Sequence, residues 1–221
     1  MCLIVLAWRA HPRFPLIVAA NRDEFHARPA APAAHWSDNP AILAGRDLEA
    51  RGTWMGVSRG GRFAAVTNYR GAREPSAAES RGALVTGFLA DGVAPATYMA
   101  DVAKRAARYS GFNLLACDRK ELWWMSNRDG APRRLEPGYY ALGNLLLDSP
   151  EVQPQKARVA DTPPAVEPLF SALAQAKIVN PQYGTRCSTV LLDSGKERRY
   201  AERSFDADGA EGTTVQFQLS G

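Results

Sequence analysis

A chain of 221 residues with 46% hydrophobic content is long enough to bury a sizeable core, and it reads as one domain over residues 1–221. Its 27 Lys plus Arg against 23 Asp plus Glu give a net charge of +4, carried by scattered arginines, which excludes the clustered footprint of a nucleic-acid binder. Three cysteines without CxxC spacing exclude a disulfide framework and a cysteine zinc site, and they suit a reducing compartment.

The chain opens on Met1-Cys2 and runs apolar to Trp8. No basic segment precedes this run and it is too short to span a bilayer, so no signal peptide or membrane helix is expected and the location is expected to be cytoplasmic. Cys2 to Trp8 and Pro15 to Ala20 are rich in Val, Ile and Leu and flank a turn through His11-Pro12-Arg13. They predict a hairpin of two core strands that carries Asn21-Arg22-Asp23-Glu24 back towards the N-terminus. The prolines of Arg28-Pro29-Ala30-Ala31-Pro32 predict a loop, with Trp36 as its anchor. Strands are expected at Ala41 to Ala44, Thr53 to Ser58 and Arg62 to Tyr69, the last two joined by Arg59-Gly60-Gly61.

From Ser80 the pattern changes period. Leu84, Val85, Phe88 and Leu89, then Tyr98, Val102 and Ala106 after Pro95, predict two helices separated by Asp91-Gly92. Phe112 to Cys117 and Leu122 to Ser126 form a second predicted hairpin, followed by a strand at Tyr139 to Leu142. Gln155 to Ala160 and Val166 to Ala176 read as shorter helices. Thr185 to Leu192 and Arg198 to Phe205 flank the turn Asp193-Ser194-Gly195-Lys196, and Val215 to Leu219 closes the chain as a strand. Runs of strands alternating with paired helices predict antiparallel sheets covered by helices, an α+β arrangement.

Cys2 carries the chemistry. Removal of Met1 would leave it with a free α-amine of pKa ~7.7–8.0 beside its own thiol at ~8.5, nucleophile and base in one residue. The plainer reading is a small apolar residue opening a buried strand. A carboxylate at Asp23 would orient the α-ammonium and the Arg22 guanidinium would favour thiolate; a solvated charged turn is the other reading of that stretch. Arg22 and Glu24 are candidate substrate-binding residues. Asn68, at the end of a predicted strand, is either an amide donor to a developing oxyanion or a turn residue. Cys117 and Cys187, inside apolar strands, read as core thiols. Gly56-Val57-Ser58-Arg59-Gly60 satisfies GxSxG, but a strand follows it and His11, His26 and His35 all precede it, so a hydrolase elbow is excluded. The histidines lack metal-ligand spacing, and neither a P-loop nor GxGxxG is present, so no metal or nucleotide cofactor is expected.

Ala19-Ala20-Asn21-Arg22-Asp23-Glu24-Phe25 with Arg28-Pro29, Gly52-Thr53-Trp54-Met55-Gly56-Val57, Phe63-Ala64-Ala65-Val66-Thr67-Asn68-Tyr69-Arg70 and Tyr183-Gly184-Thr185-Arg186-Cys187-Ser188-Thr189 follow Cys2 in order. Together these blocks resemble the transport-and-Golgi-organisation family, known also by its Asn-Arg-Asp-Glu signature. That family is similar to the N-terminal nucleophile hydrolases, in particular the cysteine branch with the bile-salt and penicillin V amidases. The resemblance implies a four-layer αββα sandwich and cleavage of a non-peptide C–N amide bond through a thioester. It also implies Asp23 as the carboxylate after the second strand, although the arginine that stands two residues apart from it in the amidases is here its immediate neighbour, Arg22. Arg186 takes the place of a late-strand arginine that approaches the nucleophile; a buried arginine there would otherwise need a carboxylate partner, for which Asp23 or Glu24 would qualify. The expected ligand is a small-molecule amide or an amphipathic compound. Family links to haem handling imply the alternative of a non-enzymatic haem binder with His or Cys as axial ligands.

Overall fold

The computed structural model describes residues 2–71 and 79–220. Their contacts divide into two units, Met1–Arg28 with Pro137–Gly143 and Leu147–Gly221, and Pro29–Glu136 with Asn144–Leu146.

In the first unit, β1 (Leu3–Trp8) and β2 (Leu16–Phe25) pair as an antiparallel hairpin, in register from Leu3 opposite Asn21 to Trp8 opposite Leu16. β10 (Gly138–Leu142) flanks β1, and β11 (Tyr183–Asp193), β12 (Glu197–Phe205) and β13 (Glu211–Ser220) continue the sheet beyond β2. The six strands lie in the order β10-β1-β2-β11-β12-β13, all antiparallel. Leu3, Val5, Ala7, Ile17, Ala19, Val190 and Leu192 fall on one face because side chains alternate along a strand. They pack with Leu169, Phe170 and Leu173 of α4 (Val166–Ala174) and Val159 of α3 (Gln153–Ala160). Ile4, Leu6, Val18 and Leu191, on the alternate face, are buried too, which explains why β1 and β2 read as near-continuous apolar runs. The β11–β12 hairpin closes on Gly195, whose φ of +80° suits a residue without Cβ and whose N–H donates to Asp193 Oδ1 at 2.7 Å.

The second unit is a seven-stranded antiparallel meander. β3 (Ala30–His35), β4 (Ile42–Asp47), β5 (Met55–Ser58), β6 (Phe63–Asn68), β7 (Phe112–Cys117), β8 (Leu122–Ser126) and β9 (Arg133–Leu135) lie in sequence order. α1 (Gly82–Ala90) and α2 (Pro95–Lys104) cover it, setting Leu84, Val85, Phe88, Leu89, Met99 and Val102 against Ala44, Ala64, Leu114, Ala116 and Met125. Arg62 fastens the end of α1: its guanidinium lies 3.7 Å from the Phe88 ring centroid, Nε donates to Phe88 O at 2.9 Å and Nη2 to Val93 O at 2.7 Å. A cation there also complements the negative end of the helix dipole.

The expected elements recur with small changes of bounds, and β7 and β8 match residue for residue. Two short edge strands depart from expectation. The proline-rich segment read as a loop contains β3, in which the register against β4 shifts between Ala31 and Ala34, around Pro32. An edge strand with a bulge tolerates a residue that donates no ladder hydrogen bond. Trp36 does anchor the chain as it leaves β3, buried and donating from Nε1 to Ala44 O at 3.1 Å. β9 at the opposite edge is three residues of RRL, too short and polar to carry a period.

Asn21 binds the first unit together around β2. Buried at 2% exposure, it donates from Nδ2 to Leu173 O in α4 at 3.1 Å and accepts from Ser188 Oγ of β11 at 2.7 Å. Asn21→Ala strips both partners and is expected to cost about 1–3 kcal/mol, the penalty for leaving buried polar groups unmet. Urea titration is expected to report a lower midpoint at unchanged slope.

Candidate active site

β2 is the strand on which the site is built, since it is hydrogen-bonded to β1 on one side and β11 on the other. β1 starts at Leu3, whose partner is Asn21, so its ladder has ended where β2 reaches Asp23. The Cys2 side chain takes over there. Asp23 N–H donates to Cys2 Sγ at 3.4 Å, and Sγ–H donates back to Asp23 O at 3.4 Å. One sulfur thus meets both backbone groups of a single residue.

On the other side of β2 a bulge adjusts β11. Thr185 pairs with Asp23 and Cys187 pairs with Arg22, so Arg186 is an extra residue on β11. The bulge brings Thr185 beside the carboxylate: Thr185 Oγ1 donates to Asp23 Oδ1 at 2.6 Å and accepts from Ile178 N at 2.9 Å. Asp23 is 3% exposed, so its carboxylate is held within the unit. Before the bulge, Tyr183 Oη donates to Asp23 O at 3.2 Å, the same oxygen that receives the thiol. Gly184 between them is a close approach: a Cβ would stand 2.9 Å from Ile178 O and 3.0 Å from His26 Nε2.

Arg22, 7% exposed, lies one residue along from Asp23 with its Nη2 3.8 Å from Glu24 Oε2, and Glu24 Oε1 accepts from Phe25 N at 2.9 Å. Cys2, Arg22, Asp23 and Glu24 therefore share one end of the β1–β2 hairpin. Arg186 does not take up a carboxylate among its hydrogen bonds. Its Nη1 donates to the carbonyls of Phe25, His26 and Arg28 at 3.0, 3.2 and 3.1 Å, fastening the chain where it leaves β2. Asn68 belongs to the second unit, where it closes β6, is exposed, and accepts at its backbone oxygen from Asn144 Nδ2 at 2.7 Å. Tyr183 and Thr185 are the members of the site that no sequence role singled out. Both stand in the block beside Arg186, but their contacts with Asp23 depend on a bulge that residue patterns do not reveal.

The surroundings hold Cys2 as a thiol. Burial and the Asp23 carboxylate push its pKa up to about 11, against the opposing pull of the Asp23 N–H and the Arg22 guanidinium. Burial raises Tyr183 as well, and the negative forms of Cys2, Asp23 and Glu24 add to the shift, so the phenol stays a donor. Cys187 is buried and raised well above its usual range by burial and by Glu202. Cys117 is buried, with Sγ donating to Asp118 O at 2.9 Å. All three cysteines are free.

The other motifs settle locally. Ser58 ends β5 in a tight turn to β6, so GxSxG here is strand, turn, strand. His11 accepts from Arg13 N, while His26 and His35 bond the carbonyls of Asn180 and Pro40. Among the described residues no group of three or more His, Cys, Asp or Glu is placed to hold a metal, and no helix is long and apolar enough to cross a membrane.

Comparison with solved structures identifies the fold. The Caenorhabditis elegans N-acylethanolamine-hydrolyzing acid amidase ortholog superposes with a TM-score of 0.57 at 13% identity, over 86% of this chain and 92% of that one. The C2A mutant of the conjugated bile acid hydrolase from Clostridium perfringens gives 0.60 at 8% identity, over 99% and 92%. The fold is that of the N-terminal nucleophile hydrolases, as the family resemblance implied. At the level of sequence, the transport and Golgi organization protein 2 homolog of Bos taurus is 34% identical over 99% of each chain. The family description for Transport and Golgi organisation 2 matches residues 1–162, and the chain belongs to that family.

Proposed function

We propose that the chain is an amidohydrolase with Cys2 as its nucleophile, cleaving a non-peptide C–N amide bond through a thioester. The observation that carries this reading is the seat of the Cys2 sulfur on both backbone groups of Asp23, with the Asp23 carboxylate fixed by Thr185. Its fold neighbours support it by name, one an acid amidase ortholog and one a conjugated bile acid hydrolase. Three free cysteines suit a reducing compartment, and the cytoplasm is the proposed location.

In this mechanism Met1, which lies outside the described residues, is removed, and the Asp23 carboxylate orients the α-amino group of Cys2. The neutral amine takes the thiol proton, and the sulfur attacks the amide carbonyl carbon as the π pair moves to oxygen. Collapse restores the carbonyl and breaks the C–N bond, the α-ammonium giving its proton to the departing amine. Water then attacks the thioester with the same amine as base, releasing the acid and restoring the thiol. Arg22 favours thiolate and, with Glu24, meets polar groups of the substrate. Arg186 keeps the backbone after β2 in place.

Cys2 alkylation separates the processed chain from the unprocessed one. With Met1 retained, a thiol at about 11 keeps its proton at pH 7, so iodoacetamide labelling of Cys2 is expected to climb roughly tenfold per pH unit towards that value. In chains that have lost Met1, Cys2 is expected to outpace Cys117 and Cys187 at pH 7. Intact mass of untagged protein sorts the two species.

A panel of N-acyl amides, including acylated amino acids and penicillin V, tests the reaction itself by mass detection of an acyl group on Cys2. Cys2→Ala is expected to abolish the adduct. Failure of every amide to acylate wild-type Cys2, together with tight haem binding unaltered in Cys2→Ala, would overturn the hydrolase reading in favour of a carrier.

A further inference from the structure

One carbonyl oxygen receives two donors at the proposed nucleophile. Cys2 Sγ–H reaches Asp23 O at 3.4 Å and Tyr183 Oη–H reaches the same oxygen at 3.2 Å. A thiol proton held by that carbonyl has to leave before sulfur can attack. Its departure would strand a part-buried carbonyl facing a new anion, and stranding a polar group of this kind is costly. A second donor already on the oxygen removes most of that cost, and it also weakens the hold of the carbonyl on the thiol proton.

We propose that Tyr183 is a positioning residue for Cys2, its hydroxyl occupying Asp23 O so that the thiol can ionise without leaving that oxygen unmet. The only bond broken in the step is S–H, and the proton passes to the base. The inference rests on the reading of Cys2 as nucleophile. The ring is held to the task by Phe25. Tyr183 pairs with Phe25 across β2 and β11, and the two rings meet edge to face with centroids 5.2 Å apart. Among the described residues, the charged groups that face the sulfur are Arg22 and Asp23 of β2, while Glu24 faces the phenol with them. Among these, Tyr183 contributes a neutral donor. Burial and the neighbouring negative charges keep its proton in place well into the alkaline range, so it remains a donor while Cys2 titrates.

Tyr183→Phe removes the hydroxyl and keeps the ring. The rate of Cys2 alkylation by iodoacetamide, followed across pH by peptide mass and scaled to the folded fraction from urea titration, is expected to shift about one unit to higher pH. At a fixed pH below the plateau this is a slowing of about tenfold, with Cys117 and Cys187 as unmoved references. Phe25→Leu removes the ring contact and keeps the hydroxyl, and its profile is expected to match wild type. A wild-type profile in Tyr183→Phe, or an equal shift in Phe25→Leu, would overturn the assignment. The readout needs no substrate: a shifted profile with no amide ever acylating Cys2 would retain Tyr183 as a positioning group while the amidohydrolase reading fails.

Discussion

The pairing of β2 on both sides is the constraint from which the site follows. Because β1 stops one residue short of Cys2, the next backbone donor and acceptor on β2, those of Asp23, find a side chain where a strand would otherwise be. Because β11 continues on the far side, the same Asp23 is fixed in height and rotation by a ladder that does not involve the N-terminus. The Cys2 thiol is thereby seated by its neighbours' main chain, which mutation alters far less easily than a side chain. In the same strand Asn21 ties down α4 and β11, so three consecutive signature residues serve three purposes: anchoring, charge and seating.

The bulge at Arg186 gives this arrangement its asymmetry. Without the extra residue, the side chain opposite Asp23 would come from the other face of β11, and the Thr185 hydroxyl would not reach the carboxylate. The displaced residue is put to use: its guanidinium collects the carbonyls of Phe25, His26 and Arg28 at and beyond the end of β2. Electrostatically the seat is conservative. Burial and a carboxylate hold the sulfur protonated, with Arg22 and one N–H pulling the other way, so reactivity would depend on a base arriving at the N-terminus.

Much of the fold was legible because its signals are local. The apolar runs of β1, β2, β7 and β8 and the helical spacing of Leu84, Val85, Phe88 and Leu89 each specify an element without reference to the rest of the chain. The edge strands were not, since β3 contains Pro32 and β9 has only three residues, and both are strands through the partner that pairs with them. At the site, the hairpin was expected to carry Asp23 back towards the N-terminus, where its carboxylate would orient an amine; the contact that forms is between the Cys2 sulfur and the Asp23 backbone. Tyr183 and Thr185 had no such signal, because one residue of slippage in β11 decides which of its side chains faces β2. Arg186 was expected beside a carboxylate on the rule that buried cations are paired; carbonyl oxygens met the same need.

The reach of the sulfur has a consequence for which atom this position accepts. Two contacts of 3.4 Å, one to a donor and one to an acceptor on the same residue, suit a large, polarisable atom on a long bond to carbon. An oxygen in its place would sit closer to its own backbone and prefers shorter partners, so it would satisfy one group of Asp23 by forsaking the other. The separation of two neighbouring strands thus acts as a gauge for the atom that residue 2 presents to Asp23, selecting sulfur by its size.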